Sequence, residues 1–266
     1  MTFAQDKHES PIIFFALVFA FSIPFWILGA IKPIELLPGL PISALGAFTP
    51  APAALILVHK NDGISSILQL LRRSFDFNRI KNKAWYLAFA FINPIIAVLA
   101  YGIMRAVGES IPNPASPTLA IVPMFVVFFI AALGEEIGWT GYITGPLQNR
   151  FGTINAGILL GLIWAIWHFI PLIQAHRSIE WIAWWSLGTI ALRVIMVWLY
   201  VHAGKSVFAA AVFHAMINLS WQLFPVNGSF YDPRMFGLIT LCFAVAILLL
   251  KGRGVSSKNE KFINET

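Results

Sequence analysis

Five polar side chains in otherwise apolar stretches of this sequence could together hydrolyse an amide bond. They are Glu135, Glu136, His168, His214 and Asn218. A carboxylate beside an imidazole, in a site of low dielectric constant, serves as a general base for water. An imidazole and a carboxamide one helical turn apart, such as His214 and Asn218, could hold the oxyanion that forms when water attacks an amide carbonyl. The set predicts acyl transfer without a serine or cysteine nucleophile.

The same donors allow a second interpretation, in which a metal ion activates the water. One glutamate and two histidines can ligate Zn²⁺ and leave the fourth position for water. The local signature His-Glu-x-x-His of many zinc peptidases is absent. The single cysteine, Cys242, lies inside an apolar run, which excludes an intramolecular disulfide and a cysteine-based metal site. We expect no cofactor, with zinc as the alternative.

The composition indicates an integral membrane protein. Of the 266 residues, 58% are hydrophobic and 11% are charged, whereas a soluble domain carries about 25% charged residues. Eight segments approach the length of about 20 apolar residues that a bilayer requires. They lie at approximately Pro11–Ile31, Pro41–Val58, Ala84–Val107, Pro123–Leu147, Ile154–Gln174, Trp181–Val201, Ser206–Phe224 and Met235–Leu250. We predict an all-α, polytopic integral membrane helical bundle of about eight transmembrane helices, forming a single membrane domain over residues 1–266.

Lysine and arginine residues predict the orientation of these spans. With both termini in the cytoplasm, 13 of the 18 cationic residues fall on the cytoplasmic side, four fall outside and Arg193 lies within the sixth span. This bias satisfies the positive-inside rule. The four outer residues are Lys32, Arg105, Arg177 and Arg234. The inner residues are Lys7, Lys60, Arg72, Arg73, Arg79, Lys81, Lys83, Arg150, Lys205, Lys251, Arg253, Lys258 and Lys261. We expect a multi-pass protein of a bacterial plasma membrane, with no nucleic-acid partner, since no nucleic-acid motif is present.

Two segments outside the spans bear on the membrane boundary. The stretch Met1–Ser10 is polar and of mixed charge, so we expect no cleavable signal peptide. The loop Gly63–Lys83 has apolar residues at helical spacing followed by Arg72 and Arg73. It fits either an amphipathic helix on the anionic inner leaflet or a solvated basic loop.

The candidate residues lie at similar depths in the predicted spans. With a rise of about 1.5 Å per residue, His214 lies about 12 Å from the inner end of its span, Glu135 and Asn218 about 18 Å, and His168 about 21 Å. Glycines at i, i+4, i+7 and i+11 from Gly134 form a smooth stripe that would let helices approach closely in lipid. Adjacent residues of a helix point about 100° apart, so Glu135 and Glu136 are predicted to have different roles.

At these residues the sequence resembles the CPBP (Abi) family of CAAX proteases and bacteriocin-processing enzymes. The family pattern is Glu-Glu-x-x-x-Arg, then aromatic-x-x-x-His, then His-x-x-x-Asn/Asp, each on its own span. The segment Glu135–Thr140 matches the first motif except at its last position. Trp164–His168 matches the second and His214–Asn218 the third. The core that carries these motifs spans approximately residues 119–223.

The resemblance implies an intramembrane endopeptidase whose cavity opens to the cytosol. Glu135 would be the catalytic carboxylate and His168 its partner in activating water. His214 and Asn218 would form the oxyanion site, and Glu136 would support the constellation without a metal. The substrate would be a membrane-associated peptide, either a prenylated CAAX protein or a leader peptide, and the oligomeric state stays open.

One departure from the pattern matters for activity. Thr140 stands where the family usually has an arginine, which would be expected to pair with the carboxylate of Glu136. Without this cation a buried carboxylate needs another partner, and Arg193 of the sixth span is a candidate. The change also leaves room for a catalytically inactive membrane partner, such as an immunity or chaperone-like protein. We favour an active enzyme because all four groups proposed for water activation and the oxyanion are present.

Overall fold

Helices make up most of the computed structural model, which describes residues 10–114 and 119–254, with side chains as far as residue 249. Lys7, Lys258 and Lys261 of the predicted inner set lie outside the described residues, as does most of Met1–Ser10. The helices are α1 (Pro11–Ile31), α2 (Pro50–Asp62), α3 (Ile64–Arg72), α4 (Trp85–Ala106), α5 (Ile121–Glu136), α6 (Thr144–Trp167), α7 (Phe169–Gln174), α8 (Ile179–Ala203), α9 (Val207–Leu223) and α10 (Pro233–Gly254). Short elements complete it: strands β1 (Glu35–Leu37) and β2 (Leu40–Pro41), a π-helical segment Ile137–Ile143, and 3₁₀ turns at Ile42–Phe48, Arg73–Phe75 and Phe77–Arg79.

The helices confirm the predicted all-α polytopic membrane protein. Among the described residues, five helical stretches are long and apolar enough to cross a bilayer, and two shorter apolar helices lie at Val207–Leu223 and Pro233–Leu249. Each of the eight predicted segments overlaps one of these stretches. The longest stretch, Ile121–Gln174, has 54 residues and contains both the fourth and the fifth predicted spans.

The chain reverses direction inside this longest stretch. A straight helix would separate Glu135 from Trp164 by about 43 Å, yet the Trp164 indole N–H donates a 2.7 Å hydrogen bond to the Glu135 carboxylate. The break occurs at Gly152, where φ is 77° and ψ is 166°. A positive φ is strained for residues with a Cβ, which explains glycine at this position. The reversal places the first two motifs side by side.

In the second predicted span, the α-helix begins several residues after the start of the apolar segment. The apolar residues before Pro50 form the strand β2 and the turn Ile42–Phe48, and α2 begins with Pro50. Proline is favoured at the first helical position, because the amide hydrogen it lacks would have no helical acceptor there. Pro50 therefore starts this helix rather than interrupting it.

The glycine stripe brings helices into close contact, as its spacing predicts. A Cβ on Gly138 would lie 2.5 Å from the backbone oxygen of Pro50, at the start of α2. On α6, a Cβ on Gly157 would lie 2.9 Å from the Cα of Val194, and one on Gly161 would lie 2.8 Å from the Cα of Ile190. Small residues therefore allow α6 to pack against α8, which carries Arg193.

Candidate active site

The two adjacent glutamates lie at the end of α5, where the chain passes into the π-helical segment Ile137–Ile143. Such π-helical insertions are rare and often mark functional sites. Both side chains are buried, Glu135 at 4% exposure and Glu136 at 0%. They nevertheless have different surroundings, because Glu135 lines a cavity and Glu136 does not.

Glu136 is surrounded by hydrogen-bond donors from three helical elements. Arg193 Nη1 of α8 lies 2.9 Å from Glu136 Oε2, and His214 Nδ1 of α9 lies 2.9 Å from Glu136 Oε1. The Thr140 hydroxyl, one turn further along the chain, donates to Glu136 Oε2. Arg193 is fully buried and lies over the Trp164 ring, with Cζ 4.2 Å from the ring centroid. The structure therefore supplies from α8 the cation that the first motif lacks at Thr140.

His214 bridges the two carboxylates. Its Nδ1 contacts Glu136 as described, while its Nε2 lies 3.7 Å from Glu135 Oε1. Buried charges are costly unless they are paired and hydrogen-bonded. The two carboxylates therefore share His214, and Arg193 places a positive charge next to Glu136.

Trp164 orients both members of the proposed water-activating pair. Its indole N–H donates to Glu135 Oε2, and its backbone oxygen lies 2.7 Å from His168 Nδ1. A carbonyl oxygen only accepts, so Nδ1 carries the hydrogen and a neutral His168 has its lone pair on Nε2. Rings of Trp164, Trp167 and Trp185 surround this imidazole, with centroids 4.8–5.2 Å away. Glu135 and His168 share the cavity but have no direct hydrogen bond to each other, within the part of the chain described.

Asn218 completes the set, one helical turn beyond His214 on α9. Its side chain is half-buried and lines the same cavity as His214. Among the residues that the structure describes, the Asn218 carboxamide makes no side-chain hydrogen bond. It is therefore available to a molecule in the cavity.

The cavity has a volume of about 220 Å³ and is lined by four of the five predicted site residues. These are Glu135, His168, His214 and Asn218. Its walls are rich in tryptophan, and six such side chains contribute. They are Trp26, Trp164, Trp167, Trp181, Trp185 and Trp221. A polar centre with apolar aromatic walls is typical of a site that binds an apolar substrate and holds one reactive bond in place.

The metal alternative has no matching donor set in the described residues. No group of three or more His, Cys, Asp or Glu side chains there has a geometry that could hold a metal ion. The part of the chain that the structure describes therefore gives the zinc alternative no support.

Sequence reasoning missed one part of this site. The sequence places Trp164 on the same helical face as His168, as the aromatic residue of the second motif, but gives it no role, whereas the structure shows it contacting Glu135, His168 and His214. The signal was its position one helical turn before His168, which puts both residues on the same face. Arg193 was a candidate partner for a carboxylate, and the structure pairs it with Glu136.

The fold and the site define a class, namely a polytopic membrane protein with a carboxylate and imidazole centre inside its helical bundle. Comparison with known proteins agrees with this class. Residues 117–220 match a family model described as "Type II CAAX prenyl endopeptidase Rce1-like". This interval contains all three motifs.

Two relatives extend the comparison. CAAX prenyl protease 2 of Methanococcus maripaludis is 27% identical over 265 residues, which cover 91% of this chain and 93% of the relative. Lysostaphin resistance protein A of Staphylococcus haemolyticus is 25% identical over 138 residues, which cover 50% of this chain and 35% of that protein. The chain is thus similar to a family of CAAX endopeptidases over its motif region and to a CAAX prenyl protease over most of its length.

Proposed function

We propose that this protein is an intramembrane endopeptidase that uses Glu135 to activate water and cleaves a membrane-associated peptide. The observation that carries the proposal is the grouping of Glu135, His168, His214 and Asn218 around one tryptophan-lined cavity. The relationship to a CAAX prenyl protease over most of the chain supports the same reaction class. An apolar anchor, either a prenyl group or the hydrophobic part of a leader peptide, would fit the aromatic walls.

The first step is attack of water on the scissile carbonyl carbon. The Glu135 carboxylate accepts one proton of the water as the C–O bond forms, and His168 Nε2 accepts a hydrogen bond from the other proton. The carbonyl oxygen becomes an oxyanion, to which His214 Nε2–H and the Asn218 amide donate hydrogen bonds. Trp164 holds both Glu135 and His168 in place for this step.

The second step is collapse of the tetrahedral intermediate. The C–N bond breaks, the carbonyl re-forms, and the proton held by Glu135 passes to the leaving amine. Glu135 returns to its ionised form, and the second proton of the water passes from the new carboxyl group to the amine, so that the products are a carboxylate and an ammonium group. Water supplies all the atoms that are added.

Glu136 supports this chemistry through His214. To donate from Nε2 while Nδ1 faces a carboxylate, His214 must carry both ring protons. Glu136 accepts from Nδ1 at 2.9 Å and so stabilises that imidazolium. Arg193 fixes the Glu136 carboxylate and balances its charge. Glu136 and Arg193 are positioning residues in this scheme, and we propose that no metal takes part.

We also propose that the protein lies in a bacterial plasma membrane with both of its termini in the cytoplasm. The 13 to 4 division of Lys and Arg between the two sides favours this orientation over its inverse.

A cleavage assay in H₂¹⁸O tests the proposed reaction. Purified protein in detergent is given a peptide in which a prenylated cysteine is followed by three further residues, and the fragments are analysed by mass spectrometry. Hydrolysis by water adds one ¹⁸O atom to the new carboxylate of the N-terminal fragment, which carries the prenyl group, in a single turnover. Absence of cleavage for a panel of prenylated and leader peptides would favour the inactive-partner alternative instead.

A further inference from the structure

The two ends of the helical bundle differ in charge. One end carries the segment between α2 and α4, the turn at Gly152 and the turn between α8 and α9, and we call it the basic end. Eight described Lys and Arg side chains belong to it: Lys60, Arg72, Arg73, Arg79, Lys81, Lys83, Arg150 and Lys205. At the other end, which we call the mouth end, are Lys32, Arg105, Arg177 and Arg234.

Contacts between distant segments confirm which loops share each end. At the basic end, Arg73 Nη1 donates to the backbone oxygen of Gly141 at 2.7 Å, and Arg79 Nε donates to that of Gly204 at 3.2 Å. At the mouth end, the Trp181 and Tyr231 rings lie 6.0 Å apart, and Arg177 lies over Trp181 at 4.9 Å.

The cavity reaches the mouth end only, within the described residues. The loop residues that line it all come from that end, namely Gly39, Leu40, Pro41, Ala175, Arg177 and Tyr231. Most of them are half-exposed, so this side communicates with solvent. No residue of the basic end lines the cavity.

A layer of large buried side chains closes the opposite side. Trp139, Tyr142, Ile143 and Leu147 lie beyond Glu135 toward the basic end, with exposures of 0–2%. Leu70 of α3 covers this layer, since its Cδ1 would lie 3.1 Å from a Cβ on Gly141. Water and substrate therefore reach Glu135 from the mouth end.

We infer that the cavity of this protein opens on the extracytoplasmic face of the membrane. The positive-inside rule places the basic end in the cytoplasm, and the mouth is at the other end of the bundle. This orientation is the reverse of the cytosolic opening that the family resemblance implies. The orientation also indicates a substrate class, and this conclusion rests on the proposed function. The substrate would be a membrane-anchored peptide whose scissile bond reaches the cavity from the extracytoplasmic leaflet.

Two serine positions give a matched test of the orientation. Ser229 lies exposed at the mouth end and Ser65 lies exposed on α3 at the basic end, and neither side chain has a hydrogen bond among the described residues. In a Cys242→Ala background, Ser229→Cys and Ser65→Cys each leave one thiol in the full-length chain. Spheroplasts of a bacterial host are treated with a membrane-impermeant maleimide before and after lysis.

The inference requires labelling of Ser229→Cys in intact spheroplasts and labelling of Ser65→Cys only after lysis. The reverse pattern would overturn it, and so would labelling of both variants before lysis. If either variant fails to accumulate, Glu109→Cys at the mouth end and Asn61→Cys at the basic end replace them, since both positions are exposed. This result is independent of whether the protein cleaves anything.

A second measurement tests the substrate class. A peptide with an apolar anchor and a charged, membrane-impermeant head is added to right-side-out and to inverted vesicles containing the protein. Cleavage in right-side-out vesicles that is lost in Glu135→Gln supports the inference, and cleavage confined to inverted vesicles overturns it. Absence of cleavage in both preparations counts against the proposed function, and the labelling pattern then decides the orientation alone.

Discussion

Arg193 Nη1 lies 2.9 Å from Glu136 Oε2, although the two residues are 57 positions apart and on different helices. The family motif would place its arginine at position 140, four residues after Glu136 in the chain. Here Thr140 supplies a hydroxyl at that position and α8 supplies the cation. Both carboxylates of the motif thus keep charged or hydrogen-bonding partners, which supports an active site despite the departure from the motif.

Replacement of Arg193 is expected to damage both stability and activity. Arg193→Met leaves Glu136 as a buried carboxylate without its cation, a change that typically costs about 3–5 kcal/mol. We expect a lower melting temperature in detergent and a large loss of kcat. Arg72→Met, at an exposed position of α3, is the control and should change neither quantity.

A double variant tests whether the positive charge next to Glu136 matters more than the position in the chain that supplies it. Arg193→Met with Thr140→Arg moves the charge to the place where the family motif has it. We expect this variant to recover part of the kcat that Arg193→Met loses. A double variant as inactive as the single one would show that Arg193 does more than pair with Glu136.

The hydrogen bond from Trp164 to Glu135 is expected to affect catalysis. Trp164→Phe removes the indole donor but keeps the ring and the backbone carbonyl that binds His168. Loss of one hydrogen bond to a charged group costs about 1.5–3 kcal/mol, so kcat should fall by about 10-fold or more. Trp167→Phe is the matched control, since its indole donates to Ser22 rather than to Glu135. Equal kcat losses in the two variants would contradict a specific role for Trp164.

The proposed oxyanion donor is tested with the two asparagines that line the cavity. Asn218→Leu removes the carboxamide next to His214, and loss of an oxyanion-site donor costs about 10²–10³ in kcat. Asn93→Leu removes the other carboxamide, which donates to the Phe213 backbone oxygen. We expect Asn93→Leu to lower stability while leaving kcat within a few fold of the wild type. A normal kcat for Asn218→Leu would remove this residue from the mechanism.

The close contact between helices predicts that alanine substitution of two glycines, Gly138 and Gly102, will affect the stability of the protein differently. Gly138→Ala places a methyl group 2.5 Å from the Pro50 backbone oxygen, so α2 must move. Gly102→Ala in α4 meets nothing within 4 Å, and alanine is the better helix former by about 1 kcal/mol. Thermal unfolding in detergent should show a lower midpoint for Gly138→Ala and an unchanged or higher midpoint for Gly102→Ala. A midpoint for Gly138→Ala equal to that of the wild type would contradict the packing of α2 against the π-helical segment.

Metal dependence is tested by elemental analysis and chelation. Because the described donors form no metal-binding group, we expect purified active protein to contain far less than one zinc per chain. Treatment with a chelator should leave kcat unchanged. One zinc per chain, removed together with activity and restored with it, would establish the metalloprotease alternative.

Much of this architecture follows from local sequence patterns. Hydropathy runs located the membrane helices because lipid leaves few alternatives to a helix. Counting residues from the span ends predicted that His214 and Asn218 lie at a depth in the membrane similar to that of Glu135, because the rise per residue of a helix is nearly constant. The glycine stripe predicted close packing for a similar reason, because side-chain spacing on a helix is fixed.

The partners within the site could not be derived in this way. Which helix presents Arg193 to Glu136 depends on how α8 is rotated about its axis, and that rotation is set by packing rather than by spacing. The role of Trp164 depends equally on the reversal at Gly152, which turns α6 back so that Trp164 reaches Glu135. Sequence spacing predicted which residues share a helix face and how deep they lie in the membrane. Which other helix each face contacts could be read only from the three-dimensional structure.

The role of Glu135 is tested most directly by comparing peptide cleavage for Glu135→Gln and the wild type, with thermal unfolding as the control for folding. Glutamine keeps the shape of the side chain and accepts the Trp164 hydrogen bond, but it cannot take a proton from water. Removal of a general base typically lowers the rate by about 10²–10⁴, so we expect kcat to fall by at least 100-fold with an unchanged melting temperature. Cleavage at the wild-type rate by Glu135→Gln would contradict the account.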